Sequence, residues 1–155
     1  MVVLLTWLHV SASSYPDSVL FRDYAYQFKF RENFLHKVME HRAPTEIVAA
    51  FQDMENWAKD KDDVPLHYAL MVTRNRIVIE RDLPDSLLAV KELNDMLPQL
   101  ENDRQYELKA EALNWLARYY WLKKKYPQAF ETVFMLITSI VNTHQNSFRV
   151  SLTYC

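Results

Sequence analysis

The residues that could do chemistry are few in this chain, and their spacing favours structural roles. His36 and His41 lie five residues apart, with Glu32 and Glu40 nearby. Histidines that bind one metal ion from a single helix usually lie four residues apart. A separation of five places them on different faces of a helix. We therefore predict ordinary surface or turn histidines and no metal site.

Carboxylates cluster at two places, Asp60, Asp62 and Asp63 and then Asp82 and Asp85. General acid–base catalysis needs two carboxylates held across a cleft. Both groups fall where helices are predicted to begin or turn. Carboxylates at those positions accept hydrogen bonds from free N–H groups and are stabilised by the helix dipole. The prediction is helix capping.

The absence of glycine among the 155 residues excludes several classes of site. A P-loop and a dinucleotide-binding loop both need glycine where the backbone approaches phosphate. The serine nucleophile elbow, Gly-x-Ser-x-Gly, is impossible for the same reason. The chain is therefore predicted to be non-catalytic and to need no cofactor, with a helical enzyme domain as the weakest alternative.

The charge balance and the cysteine count restrict the partners. The chain has 18 basic and 20 acidic residues, so its formal charge is −2 and gives no electrostatic reason to expect that it binds nucleic acid. The one basic run, Lys123 to Lys125, is predicted to end a helix, where cations favour the dipole. Cys155 is the single cysteine and cannot form an intrachain disulfide. No apolar run approaches about 18 residues, so no membrane span is expected within the chain.

The elements that would position these residues follow a repeating pattern. Pro44, Pro84 and Pro127 lie 40 and 43 residues apart, and proline suits the first position of a helix. Apolar residues recur at helical spacing before and after each proline. The pattern predicts an all-α fold: antiparallel helix hairpins stacked as an α-solenoid of six to seven helices. The predicted helices are 18–41, 44–60, 64–81, 84–97, 103–125 and 127–143, in three pairs (18–60, 64–97 and 103–143).

The two ends of the chain carry separate predictions. Residues 2–10 are mostly apolar and precede Ser11 to Ser14, as at the end of a secretory signal peptide cut near Ser13. No basic residue precedes the run, so residues 1–14 have an alternative interpretation as an apolar arm packed on the first helix. A signal implies a periplasmic, secreted or otherwise extracytoplasmic protein; without one the protein would be cytoplasmic. Residues 144–155 fall where a fourth repeat would begin, which predicts a truncated repeat and a chain that is one piece of a longer solenoid.

The segment from Glu111 to Leu136 resembles a tetratricopeptide repeat. Its first helix has the pair Leu116-Ala117 and then Tyr120, and Tyr126 supplies the aromatic at the turn. The turn glycine of that family is missing; Lys124 stands there, and Arg81 stands at the same place one repeat earlier. The resemblance implies that helices pack through eight residues: Leu113, Leu116, Ala117, Tyr120, Tyr126, Ala129, Val133 and Leu136.

The signal-like leader and these divergent repeats together resemble the N-terminal sensing region of bacterial membrane-bound sensor histidine kinases and related regulators. The resemblance implies a role in signal transduction, with the repeats outside the membrane.

In tetratricopeptide arrays the first helices of the repeats line a concave groove. The resemblance therefore implies a groove that could bind the backbone, a carboxylate or an aromatic side chain of a peptide. Its residues would be Tyr68, Met71, Asn75, Glu111, Asn114, Arg118 and Trp121. The basic residues of the family's best-known carboxylate clamp are not matched. The predicted function is a non-catalytic protein- or peptide-binding scaffold. The alternative is a self-association module, a homo-oligomer whose apolar residues 146–154 dock onto another copy.

Overall fold

The computed structural model describes residues 15–38 and 40–152, and within them it contains six α-helices and no β-strand. The fold class predicted from the sequence is therefore confirmed. The helices are α1 Tyr24–Val38, α2 Pro44–Asp60, α3 Val64–Glu80, α4 Ser86–Asn102, α5 Tyr106–Leu122 and α6 Tyr126–Leu152.

Helices α2 and α3 begin where side chains accept hydrogen bonds from backbone N–H groups. Pro44 starts α2, and the Glu46 carboxylate accepts a hydrogen bond of 3.0 Å from the Ala43 N–H just before the helix. Asp63 caps α3, since its Oδ1 accepts from the Leu66 N–H at 3.1 Å. Asp85 lies at the same position of α4 but makes no such side-chain bond. The capping prediction therefore holds for Asp63 in full and for Asp85 in position only.

The first helix begins six residues later than predicted. Residues Asp17–Val19 form a short 3-10 helix, and Phe21 then takes a left-handed backbone conformation with φ 54°. A chain cannot continue a right-handed helix through such a residue. Asp23 accepts a hydrogen bond of 2.8 Å from the Tyr26 N–H, and α1 starts at Tyr24.

Four helices end in the same motif without any glycine. Beyond the ends of α2, α3, α4 and α5, one residue has φ between 47° and 57°: Asp62, Asp82, Arg104 and Lys124 respectively. In each case the next N–H bonds back to a carbonyl five residues earlier, as in Gln105 N–H to Leu100 O at 2.8 Å. This is the Schellman motif, whose left-handed position usually holds glycine. Lys124 occupies that position as predicted. Arg81 does not, because it has φ −94° and Asp82 follows it as the left-handed residue.

Helix α3 lies at the centre of the packing. It contacts α1, α2, α4 and α5, and ten of its seventeen residues are buried. One apolar cluster joins α3 to α4 and α5 around Leu93 and Leu113. The other joins α2 and α3 to α1 and the N-terminal segment around Phe51 and Met54. A helix buried on nearly all sides has little amphipathic pattern of its own.

The last helix corrects one prediction. α6 runs from Tyr126 to Leu152 without a break, so residues 144–152 continue α6, and the prediction of a separate helix starting near residue 144 is wrong. No proline or other helix-ending residue lies between residues 128 and 152 to interrupt the i to i−4 hydrogen bonds.

The predicted signal segment, residues 1–14, lies outside the described residues, as do residues 153–155. In the segment before α1, the Tyr15 ring lies 5.5 Å from the Trp57 ring of α2, and Val19 is fully buried in the same cluster. None of the helices in the described part of the chain is both long and apolar enough to cross a membrane.

Candidate functional site

A buried arginine joins the first helices of the three pairs. Arg31 of α1 is 0% exposed. Its Nη1 donates to the Ala69 carbonyl at 3.0 Å and to the Thr73 hydroxyl at 2.5 Å, both on α3. The guanidinium also forms a two-pronged pair with the Glu111 carboxylate of α5, at 3.1 and 3.0 Å. Two parallel N–H to oxygen bonds fix direction as well as distance, so this contact sets the position of α1 against α5.

Aromatic rings enclose the same pair. The Arg31 guanidinium carbon lies 5.9 Å from the Tyr24 ring centre and 5.5 Å from the Phe28 ring centre. The Tyr24 hydroxyl donates to Glu111 at 3.2 Å. Burial, together with the nearby Glu111 carboxylate, raises the pKa of Tyr24 to about 12. Tyr24 therefore remains a protonated donor above pH 10, where an ordinary tyrosine ionises, which suits a structural contact.

A second arginine group lies beside it and reaches the surface. Arg76 of α3 donates to Glu32 of α1 at 2.5 Å, and its guanidinium lies 5.2 Å from the Trp115 ring of α5. Arg118 also lies 5.2 Å from the same ring. Trp115 is buried, whereas Arg118 is exposed. Within the described residues Arg118 makes no hydrogen bond or ion pair, so the indole holds its guanidinium in place while its N–H donors face water.

Two further exposed residues follow Arg118 along α5. Asn114 lies one turn earlier, and Trp121, which is 57% exposed, lies one turn later. The Trp121 ring is 5.2 Å from Tyr126 and 6.4 Å from Phe130, both at near-perpendicular angles. Residues three and four apart share one helix face. We call Asn114, Arg118 and Trp121 the α5 row.

Some of the residues predicted for the groove are therefore exposed in the structure, and others are buried or already paired. The α5 row is exposed as predicted, but Asn75 is 0% exposed, and its Oδ1 accepts from Arg74 at 3.2 Å. The prediction for Asn75 is wrong because α3 is surrounded by other helices. Tyr68 and Met71 are half-buried and pack against the α3–α4–α5 cluster. Glu111 is taken up by Arg31 and is not free to bind a ligand.

The residues predicted to pack between helices also differ in burial. Those buried in the structure are Leu113, Leu116, Ala117 and Ala129, and those half-buried against the core are Tyr120 and Leu136. Val133 is exposed, so its assignment to packing is wrong, whereas Tyr126 is 44% exposed but its ring lies against Trp121 of α5. The reason is that α6 turns small residues inward: Ala129, Thr132 and Ser139 are buried. Small side chains let two helices approach closely.

The arginines that connect the helices were not predicted from the sequence. Besides Arg31, they include Arg74 of α3, whose Nε donates to Glu55 of α2 at 2.6 Å and whose Nη2 donates to Glu92 of α4 at 2.7 Å. Glu55 is only 1% exposed to solvent. The available signal was the position of Arg74 between two apolar stretches of α3, Ala69–Val72 and Ile77–Ile79, since charges are rarely buried unless they are paired.

His36 and Lys123, two other candidates from the sequence, lie at the ends of α1 and α5. Among the described residues no group of three or more metal-ligating side chains comes together. His36, Glu32 and Glu40 do line one pocket of about 440 Å³ between the ends of α1 and α3 and the start of α2. Lys123 of the basic run pairs with Asp82 at 2.7 Å, which joins the turn after α5 to the turn after α3.

Comparison with protein-family models finds no match to this chain, and comparisons with curated proteins and with solved structures find none either. The tetratricopeptide and sensor-kinase resemblances therefore stay predictions. The structure defines an all-α protein in which buried arginine–glutamate pairs join α1 to α5 and α2 to α3, and in which the α5 row is exposed.

Proposed function

We propose that the protein is a non-catalytic scaffold that binds a segment of another protein or a peptide along the α5 row. The observation that carries this proposal is Arg118, which is stacked on Trp115 at 5.2 Å and has no anionic partner among the described residues. An exposed guanidinium held by a ring has already lost part of its conformational freedom, so less is lost on binding. Arginine and tryptophan are also the residue types that most often dominate binding energy.

The chemistry of the row indicates what it would recognise. Arg118 offers paired N–H donors that match a carboxylate, either of an acidic side chain or of a chain terminus. Trp121, exposed one turn away, offers an apolar surface to a neighbouring aromatic or aliphatic side chain. The class of ligand is therefore a peptide with a carboxylate beside an apolar residue.

The arginine contacts behind the row support the same proposal. Arg31 and Arg74 each join three helices, so they hold α1 to α5 in one arrangement. A surface arranged before binding loses less entropy when the ligand arrives.

The test selects peptides from a random library displayed on phage and measures the best of them by calorimetry. Arg118→Ala should weaken binding about tenfold or more, because a charged hydrogen bond contributes roughly 1.5–3 kcal/mol. Arg22→Ala is the matched control, since Arg22 also stacks on an exposed ring, that of Tyr26, at 5.3 Å. Selected peptides that bind Arg118→Ala, Trp121→Ala and the unsubstituted protein equally would place recognition elsewhere.

We also propose that the scaffold acts on the extracytoplasmic side of a membrane in signal transduction. This rests on the signal-like segment and on the family resemblance. Residues 1–20 joined to an alkaline phosphatase that is active only after export should give phosphatase activity in bacterial cells. An inactive fusion whose cytoplasmic expression is verified would favour the alternative of an apolar arm.

A further inference from the structure

The outer side of α6 carries large apolar side chains that nothing in the described structure covers. We define the α6 apolar face as Tyr126, Phe130, Val133, Phe134, Ile137 and Ile140, all of them exposed. Phe130 and Phe134 are 66% and 71% exposed. Monomeric proteins rarely expose contiguous apolar patches above a few hundred Å², and larger ones mark interaction sites.

The spacing of this face suits another helix as its partner. Tyr126, Phe130, Val133, Ile137 and Ile140 follow one another at intervals of four, three, four and three residues. That alternation is the seam of helices that pack side by side with interlocking side chains. The inward side of α6 is occupied by α5, and apart from the contact of Tyr126 and Phe130 with Trp121 the seam faces away from its own hairpin.

Its area matches what a stable dimer needs. With about 150–250 Å² for each whole aromatic side chain and somewhat less for each aliphatic one, the exposed parts amount to roughly 600–700 Å². A standard interface buries about 800 Å² per partner. The face alone supplies most of that area.

Its charge favours an identical partner. Residues 126–141 contain one charged side chain, Glu131. Interfaces with a different protein commonly use complementary charge to select the partner, and this seam carries almost no charge. An uncharged apolar face is complementary to itself, as the two-fold interface of a homodimer requires.

We propose that two copies of this chain pair through their α6 apolar faces, seam against seam, about a two-fold axis. The interface lies at residues 126–140, earlier in the chain than the segment 146–154 that the sequence indicated. At one end this interface adjoins the α5 row, because the Trp121 ring lies against Tyr126 and Phe130, so the peptide contact is tested separately at Arg118.

Sedimentation velocity of the full chain under reducing conditions, from about 1 to 200 µM, tests the pairing. The chain should dimerise with a Kd in the micromolar range or below. Phe134→Glu should raise that Kd at least about 100-fold, because it places two carboxylates within the paired α6 apolar faces, beside the seam. Since Phe134 is mostly exposed, helicity measured by circular dichroism should not change. Ile137→Glu, on the same face, replaces it as the test variant if Phe134→Glu loses helicity.

Leu87→Glu is the matched control, because Leu87 of α4 is 70% exposed but lies on another helix. It should leave the dimer intact, as should Arg118→Ala, so a failed peptide site and a failed dimer give different results. A chain that stays monomeric throughout would overturn the pairing and leave the face to a helix of a different protein. A dimer that is insensitive to both α6 substitutions, or equally sensitive to Leu87→Glu, would also overturn it.

Discussion

Replacing Arg104 by glycine should stabilise this protein. Arg104 follows α4 with φ 57°, and its exposed side chain makes no hydrogen bond or ion pair with any described residue. The left-handed conformation costs a residue with a Cβ atom roughly 1–2 kcal/mol. Glycine avoids that cost but loses about 0.5–1 kcal/mol more conformational entropy on folding. The net expected gain in the free energy of unfolding is therefore about 0.5–1 kcal/mol.

Urea unfolding followed by far-ultraviolet circular dichroism measures this gain. The midpoint should rise with an unchanged m-value, because the substitution alters no buried surface. The melting temperature should rise by about 1–4 °C, since 1 kcal/mol is worth roughly 2–4 °C in a chain of this size. Arg104→Gly combined with Lys124→Gly should give about twice the gain, because Lys124 has the same φ of 57° at a different helix end.

Arg104→Ala separates the backbone effect from loss of the side chain. Alanine keeps the Cβ atom and should bring no gain. If Arg104→Gly proves no more stable than Arg104→Ala, the left-handed strain assigned to these glycine-free turns is absent and the reasoning fails.

Two further predictions concern the contact between α1 and α5. Glu111→Leu should lower the free energy of unfolding by about 3 kcal/mol or more, because it leaves Arg31 buried without its carboxylate. Asp95→Leu, which breaks the exposed pair with Lys91, should lower it by less than about 1 kcal/mol. Equal losses would contradict the structural role assigned to the Arg31–Glu111 pair. Because the pKa of Tyr24 is raised to about 12, the unfolded chain loses this proton first, so the stabilisation is complete below pH 10 and is lost as the pH rises from 10 to 12. Difference absorbance titration of the protein against Tyr24→Phe should show a late tyrosine, and a Tyr24 that ionises near 10 would refute the buried contact.

Local chemistry allowed much of the helix pattern to be predicted. The bounds of α2 agree with the structure at both ends, because Pro44 suits a first helical position and its apolar residues recur at one clear spacing. The start of α1 was predicted too early because Phe21 has a left-handed conformation, and no glycine in the sequence marks that position. The continuation of α6 beyond residue 143 was missed because the period of about 40 residues predicted that a new repeat begins near residue 144.

The candidate site was harder to predict. Arg118 and Trp121 were placed correctly on the surface, since residues spaced three and four apart share a helix face whatever surrounds it. Asn75 was misplaced because α3 lies among four neighbours, which no local pattern reveals. Glu111 could be assigned to a helix face but not to Arg31, which lies 80 residues away in the chain.

The amino-acid sequence alone determined that the protein is built from helices, roughly where most of them begin, and that it cannot form the glycine-dependent nucleotide and nucleophile loops. These properties depend on each residue and its near neighbours along the chain. Only the tertiary structure decided that small residues of α6 face α5 while Phe130 and Phe134 face outward. It also decided that Arg31 pairs with Glu111 while Arg118 lies over Trp115 without an ion pair among the described residues. Such choices depend on which helix lies beside which, because burial and ion pairing are set by neighbours in space.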